Sequence, residues 1–313
     1  MNNAFKEFAD CNFDSGLCAL AQDPAWQDDS ATLDGPFCLG FPKAAGWGEE
    51  LLTASLLKRH ASATNKQIKV FARPQVCSIL KHDGAFSLCE VLSFDEGRLA
   101  GGRSPLAVLR QALLGDLLDK PFKKIETDAR HNAARTSVPR IGIAWASKQP
   151  GSSKKTILEK SIELGDFLPA LDGIDADFVS FQRGLTPLES EQLSHHFKCR
   201  CRVLSEGTLI SADQSEVVRE ICQLSCMITI STTTAHIAAS LGVPVVLVVK
   251  KRSGQQWFWI TQNECRKCIY PSVQIIIGAG DPWWKVCIAP AARSLQRSIE
   301  ASALPLRGSK IVH

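Results

Sequence analysis

The chain has 313 residues, 45% hydrophobic and 22% charged, the balance of a folded globular protein and not of a disordered one. No apolar run reaches the roughly 18–20 residues that cross a bilayer, and the start, Met1-Asn-Asn-Ala-Phe-Lys-Glu7, lacks the basic and apolar parts of a secretory signal, so a cytoplasmic setting is expected. A net charge of +4, spread along the chain, is too mild for a nucleic-acid-binding face, and the length leaves room for two domains.

In chain order, residues 1–36 are polar and aperiodic and read as an N-terminal arm. Phe37-Cys-Leu-Gly-Phe41 has the pattern of a buried strand. A loop with Pro42, Gly46 and Gly48 follows, then a helix from Glu49 carrying Leu51, Leu52, Leu56 and Leu57. Gln67–Ala72 is the next strand, Phe86–Leu92 a third, and Pro105–Leu118 has helical periodicity. Residues 123–139 are polar and weakly patterned and read as a connection, giving an N-terminal domain at 37–138 and a C-terminal domain at 139–313.

The second series starts with a strand at Arg140–Trp145, a helix near Asp166–Leu171 and a strand at Phe178–Phe181. Thr186-Pro-Leu-Glu189 has the form of a capping box with proline at the first helical position. Asp213-Gln-Ser-Glu216 repeats that signature ahead of Val217, Val218 and Ile221. A strand at Met227–Ile230, a short helix ended by Gly242 and Pro244, and a strand at Val245–Val249 close the series. Strands alternating with helices predict an α/β fold of parallel sheets with both faces covered. In such sheets ligands sit beyond the carboxyl ends of the strands. Gln182-Arg183-Gly184, Ser231–Thr234 and Lys250–Gly254 all fall there.

Ser231-Thr-Thr-Thr234 stands between the strand ending at Ile230 and the short helix. One hydroxyl suffices to cap a helix. Four exceed that need, and a helix start with free N–H groups and partial positive charge suits a phosphate or diphosphate.

Twelve cysteines invite a metal or disulfide reading, but their spacing gives little support. Cys265-Arg-Lys-Cys268 is a lone pair, Cys199-Arg-Cys201 is too close-set for a usual zinc knuckle, and several others lie inside apolar runs. Reduced thiols acting as small hydrophobes are expected.

Read together, Ile141-Gly-Ile-Ala-Trp145, Lys160-Ser-Ile-Glu-Leu164, Phe178-Val-Ser-Phe-Gln-Arg-Gly184 and Ile230-Ser-Thr-Thr-Thr-Ala-His-Ile-Ala-Ala-Ser-Leu-Gly-Val-Pro244 resemble the C-terminal half of GT-B glycosyltransferases of the heptosyltransferase type, family 9. They are most similar to the modules fused to tetratricopeptide repeats in bacterial proteins. Lys251-Arg-Ser-Gly-Gln-Gln-Trp-Phe-Trp259, Tyr270-Pro-Ser272 and Asp281-Pro-Trp283 extend the resemblance, which is strong after residue 140 and weak before it. It implies two Rossmann-like domains facing across a cleft, with a nucleotide-sugar donor on the C-terminal one and a glycan, lipopolysaccharide or protein acceptor on the other.

Gly46-Trp-Gly-Glu-Glu-Leu-Leu52 matches the family's first loop and puts Glu49 where the family has the Asp that deprotonates the acceptor. The bland alternative is that Glu49 and Glu50 only complement the helix dipole. His236 matches the motif histidine and is a candidate for assisting the leaving group, against a core histidine bonded to a carbonyl. The resemblance also implies donor contacts from Lys148 (or Lys154 and Lys155), Gln182, Arg183, Ser231, Thr232, Thr233, Thr234 and Lys251, with Trp257 and Trp259 lining the pocket.

The expected reaction is sugar transfer from a nucleoside diphosphate, inverting, with no metal and no cofactor beyond the donor. Glu49 and Ser231 depart from the pattern, which keeps a degenerate nucleotide-sugar-binding or scaffold module as the alternative. A nicotinamide oxidoreductase lacks its Gly-x-Gly-x-x-Gly turn at either domain start.

Overall fold

Short strands of two to six residues, most of them apolar, assemble here into two parallel sheets. The computed structural model describes residues 37–38, 47–64, 67–81, 89–93, 138–147, 160–251, 259, 270 and 272–303. The first sheet has the order β1-β2-β3, formed by β1 (Phe37–Cys38), β2 (Ile68–Ala72) and β3 (Cys89–Ser93). Helix α1 (Trp47–Thr64) lies between β1 and β2 in the chain, and α2 (Pro74–Lys81) between β2 and β3. Pro74 opens α2, where its missing N–H costs nothing, and Val76, Cys77, Ile79 and Leu80 form the buried stripe.

The second sheet has six strands, all parallel: β4 (Arg140–Ala144), β5 (Asp177–Ser180), β6 (Cys201–Val203), β7 (Cys226–Thr229), β8 (Val245–Lys250) and β9 (Val273–Gly278). Their order is β6-β5-β4-β7-β8-β9. The crossovers carry α3 (Leu164–Phe167) with a following 3-10 turn, α4 (Pro187–His196), α5 (Glu206–Ile210), α6 (Ser215–Cys222) and α7 (Thr233–Ser240), and α8 (Lys285–Ala303) ends the described chain.

Side chains alternate between two cores, as the two-residue period of a strand requires. Met227, Val245, Leu247 and Val249 pack with α6, α7 and the N-terminal helices α1 and α2. Cys226, Ile228, Val246 and Val248 pack with α3, α4 and α8. The buried thiols follow this logic: desolvation pushes Cys226 up to about 12 and Cys287 up to about 11, so both stay protonated and act as apolar filling. Cys265 and Cys268 lie outside the described residues.

Among the described residues the N-terminal helices meet the helices that cover the six-stranded sheet. Helix α1 lies on α7 within the shared core. At α2, the Ser78 hydroxyl donates to Asp213 Oδ1 (3.1 Å) and accepts the Gln214 N–H (2.9 Å).

The Thr186–Glu189 box forms as the sequence predicts: Glu189 N–H donates to Thr186 Oγ1 (3.2 Å) and Thr186 N–H to Glu189 Oε2 (2.8 Å). The second box does not form. Gln214 is the N-cap of α6, without a side-chain cap bond, and Asp213 instead accepts the Ser215 N–H at 2.9 Å. The series also continues past β8, into β9 and the long α8, and β6 and α5 intervene before α6. The arm at 1–36, the helix expected at 105–118 and the connection at 123–137 lie outside the described residues.

At the amino edge of the large sheet, the buried Glu220 holds Arg140 (2.9 Å) and Arg202 (2.7 Å). Removing it leaves Arg140 with Gln223 and Arg202 with Glu216 as their remaining described partners, and a buried space where the carboxylate stood. Glu220→Ala is expected to cost roughly 2–3 kcal/mol, less than for a fully buried pair because Arg202 is half-exposed. Urea unfolding measures this, and a cost under about 0.5 kcal/mol, the range of ordinary surface changes, would show that the network is idle.

Candidate active site

The strand order sets where a ligand can enter. From β4 the chain runs to β5 and β6 on one side, then returns to build β7, β8 and β9 on the other. Loops leaving β4 and β7 therefore diverge, and the gap at their carboxyl ends is the binding crevice of doubly wound sheets. Trp145-Ala-Ser147 leaves β4 there, and Ile230-Ser-Thr232 leaves β7.

Thr232 caps α7 by accepting the Ala235 N–H at 3.3 Å. The preceding N–H groups of Thr233 and Thr234 have no acceptor within the helix. No acidic residue occupies the first turn of α7, whereas α4, α5 and α6 carry Glu189, Glu206 and Glu216 there. Its partial positive charge is thus left to another group.

The hydroxyls form a web: Thr232 with Thr229 (3.3 Å) and with Thr234 (2.9 Å). Trp259 Nε1 donates to Ser231 Oγ at 2.8 Å. A hydroxyl that accepts still has its own proton to donate, so this bond orients Ser231 without using it up. The Thr233 hydroxyl has no hydrogen-bond partner among the described residues.

His236, one turn into α7, is buried. Its Nδ1 is hydrogen-bonded to the Tyr270 hydroxyl (3.2 Å), and its ring lies 4.4 Å from that of Trp259. The opposite edge faces Gly48, whose Cβ, were one present, would stand 2.8 Å from Nε2 and nearer still to Cδ2. Burial pushes the imidazole down to about 3, so it is neutral at physiological pH. The unfolded chain takes up this proton near the ordinary value of 6.5 and the folded chain only near 3. Stability is therefore expected to fall as pH drops from about 6.5 towards 3, by at most about 1.4 kcal/mol per pH unit from this group. Urea midpoints across that range check this, and His236→Asn should flatten the slope.

Glu49 follows Gly48 in the first turn of α1; its side chain lies outside the described residues. Its neighbour Glu50 is fully buried and paired with Arg73 Nε at 2.6 Å. Of the sequence readings, only the helix-dipole one grouped Glu50 with Glu49. Residue 50 faces the core beside Cys77, whose thiol is raised mainly by burial and partly by the Glu50 charge.

Gln182 is placed at the crevice but spent on backbone. Its Oε1 accepts the N–H of Trp145 (3.0 Å) and Ala146 (2.8 Å), and Nε2 donates to Ala146 O (3.0 Å) and Arg183 O (2.8 Å). All four positions of the amide are used, so it ties the loops after β4 and β5 together. The Arg183 guanidinium pairs with Glu206 at 3.3 Å, and that carboxylate also accepts the Gly184 N–H. Lys251 is exposed at the end of β8, its N–H bonded to Gly278 O at 2.7 Å. Lys148, Lys154, Lys155 and Trp257 lie outside the described residues. Among the described residues no three His, Cys, Asp or Glu side chains converge on a common point, and no helix is long and apolar enough to cross a membrane.

No family model matches the sequence, and no curated protein is detectably similar to it. Solved structures are. The ADP-heptose lipopolysaccharide heptosyltransferase II of E. coli superposes with a TM-score of 0.53 at 13% identity, over 82% of this chain and 97% of that one. A family 9 glycosyl transferase from Veillonella parvula gives a TM-score of 0.48 at 12% identity, over 82% of this chain and 94% of that one. The E. coli comparison shows the architecture: this chain has the GT-B fold of the heptosyltransferase type. It adds nothing on the likeness to modules of tetratricopeptide-repeat proteins.

Proposed function

We propose that the chain is a glycosyltransferase that moves a sugar from a nucleoside-diphosphate donor to a hydroxyl acceptor. One observation carries this reading: the first turn of α7, with unneutralised N–H groups at the switch point, lies directly against the first turn of α1. The diphosphate would rest on residues 231–234, with Lys148, Arg183 and Lys251 as its cationic surroundings. Glu49 would take the acceptor proton from the α1 side. Positive side chains and a helix terminus then carry the charge of the departing diphosphate, in an inverting transfer that needs no metal and no further cofactor. A cytoplasmic setting and a glycan, lipopolysaccharide or protein acceptor belong to the same reading.

The E. coli relative is named for ADP-heptose, which puts ADP and its sugars first in a screen that also includes UDP and GDP. A true donor at about 100 times its Kd should add roughly 2.7 kcal/mol of stability, an easily read rise in thermal midpoint. Silence towards every nucleoside diphosphate and its sugars would end the proposal.

A second reading, a nucleotide-sugar-binding module without catalysis, draws support from Glu49 and Ser231, which depart from the family pattern at the base position and in the donor turn. Calorimetric binding of a donor that is neither hydrolysed nor transferred, with a range of sugar acceptors supplied, would favour it.

A further inference from the structure

We infer that His236 is a positioning residue, a clamped ring through which the placement of the 231–234 turn fixes the first turn of α1; the inference rests on the donor reading above. Among the described residues the ring is held by the Tyr270 hydroxyl on Nδ1, the Trp259 ring on one face and the Gly48 backbone along the Cδ2–Nε2 edge. Trp259 continues the chain of contacts, since its Nε1 donates to Ser231 in the turn itself. Anything that shifts Ser231 presses on Trp259 and His236, and His236 has no slack towards α1 because a single methyl at residue 48 would already collide with it. Gly48 is thus a glycine of close approach, not of unusual backbone angle.

The residue after Gly48 is Glu49, the proposed base. Its helix is therefore set by a contact from the donor side, so that an occupied donor turn and an aligned carboxylate come together. Displacements of about 1 Å at a reacting group cost on the order of a hundredfold in rate, so such a coupling has catalytic weight without any contact between His236 and substrate. The buried ring carries no charge to offer a diphosphate; what it supplies is shape.

The test is a cycle of Gly48→Ala, His236→Ala and the double variant, with His236→Asn as a conservative variant that keeps a partner for Tyr270. The thermal midpoint, ADP and UDP affinity by calorimetry, and amide exchange over residues 47–52 with and without nucleotide are measured. Gly48→Ala should lower the midpoint, and His236→Ala beside it should restore at least about half of the loss, because the removed ring makes room for the added methyl. Nucleotide should slow exchange at 47–52 in the unsubstituted protein by at least about fivefold. His236→Ala and His236→Asn should bind nucleotide within about threefold of it yet lose that slowing.

Additive midpoints, unchanged exchange at 47–52 on nucleotide binding, or an affinity loss beyond about tenfold in both His236 variants would each overturn the inference, the last by making His236 a ligand contact. If the unsubstituted protein binds neither ADP nor UDP nor any other nucleoside diphosphate, it is the donor reading that has failed, whatever the midpoints show.

Discussion

Glu49→Gln is expected to lower sugar transfer by roughly 10² to 10⁴ at unchanged donor affinity, the range for loss of a general base. The exchange keeps the length of the side chain and removes only its capacity to accept a proton. Its neighbour supplies the control: Glu50 is sealed in the core and bound to Arg73, so Glu50→Gln should lower the unfolding midpoint more than it lowers kcat in the surviving folded protein. The two glutamates thus separate by readout, one in rate and one in stability. A role for Glu49 limited to complementing the helix dipole predicts a different result, a loss of about 0.3–1 kcal/mol of stability with transfer intact. Transfer measured with the best donor from the nucleotide screen decides between them, and an undiminished rate removes Glu49 from the mechanism.

The legible parts of this fold are those whose signals are local. The period of the β-branched runs at 140–144, 226–229 and 245–250 fixes both the strands and their two faces, and the reciprocal bonds of Thr186 and Glu189 join residues three apart. The hydroxyl turn was readable for the same reason, since strand, cap and helix follow one another within 231–240.

What escaped depends on distant partners. Asp213 and Glu216 have the spelling of a capping box, but Ser78 from α2 draws the Asp213 carboxylate and Arg202 draws Glu216, and the helix starts with Gln214 as its cap. Gln182 looked like a ligand contact because of its loop, and only the backbone of 145–146 and 183 reveals that its amide is spent. His236 acquires its character from Tyr270, Trp259 and Gly48. Strand β9 did carry a signal, the run Val273-Gln-Ile-Ile-Ile277, set between polar segments that masked it.

That last strand bears the largest expected effect on stability. Gly278→Ala should destabilise the protein by about 3 kcal/mol, the upper part of the overpacking range, and lower the thermal midpoint by roughly 6–12 °C for a domain of this size. Gly278 ends β9 opposite Lys250 and accepts the Lys251 N–H, so it cannot move away without opening the sheet edge. On its other side a methyl would strike the Trp283 carbonyl oxygen and stand 2.6 Å from Cys287 Sγ. Trp283 and Cys287 are themselves buried where α8 begins, and a backbone oxygen cannot rotate aside as a side chain can. Gly142→Ala meets a softer obstacle, the end of the Leu224 side chain at 2.6 Å, and should cost about 1 kcal/mol. Gly165, in α3, has nothing within 4 Å of the position its Cβ would take, so Gly165→Ala should gain about 0.5–1 kcal/mol from helix propensity alone. One methyl added at three glycines thus gives a large loss, a small loss and a gain. Equal midpoints for the three variants would mean that the packing at the end of β9 is not what holds α8 in place.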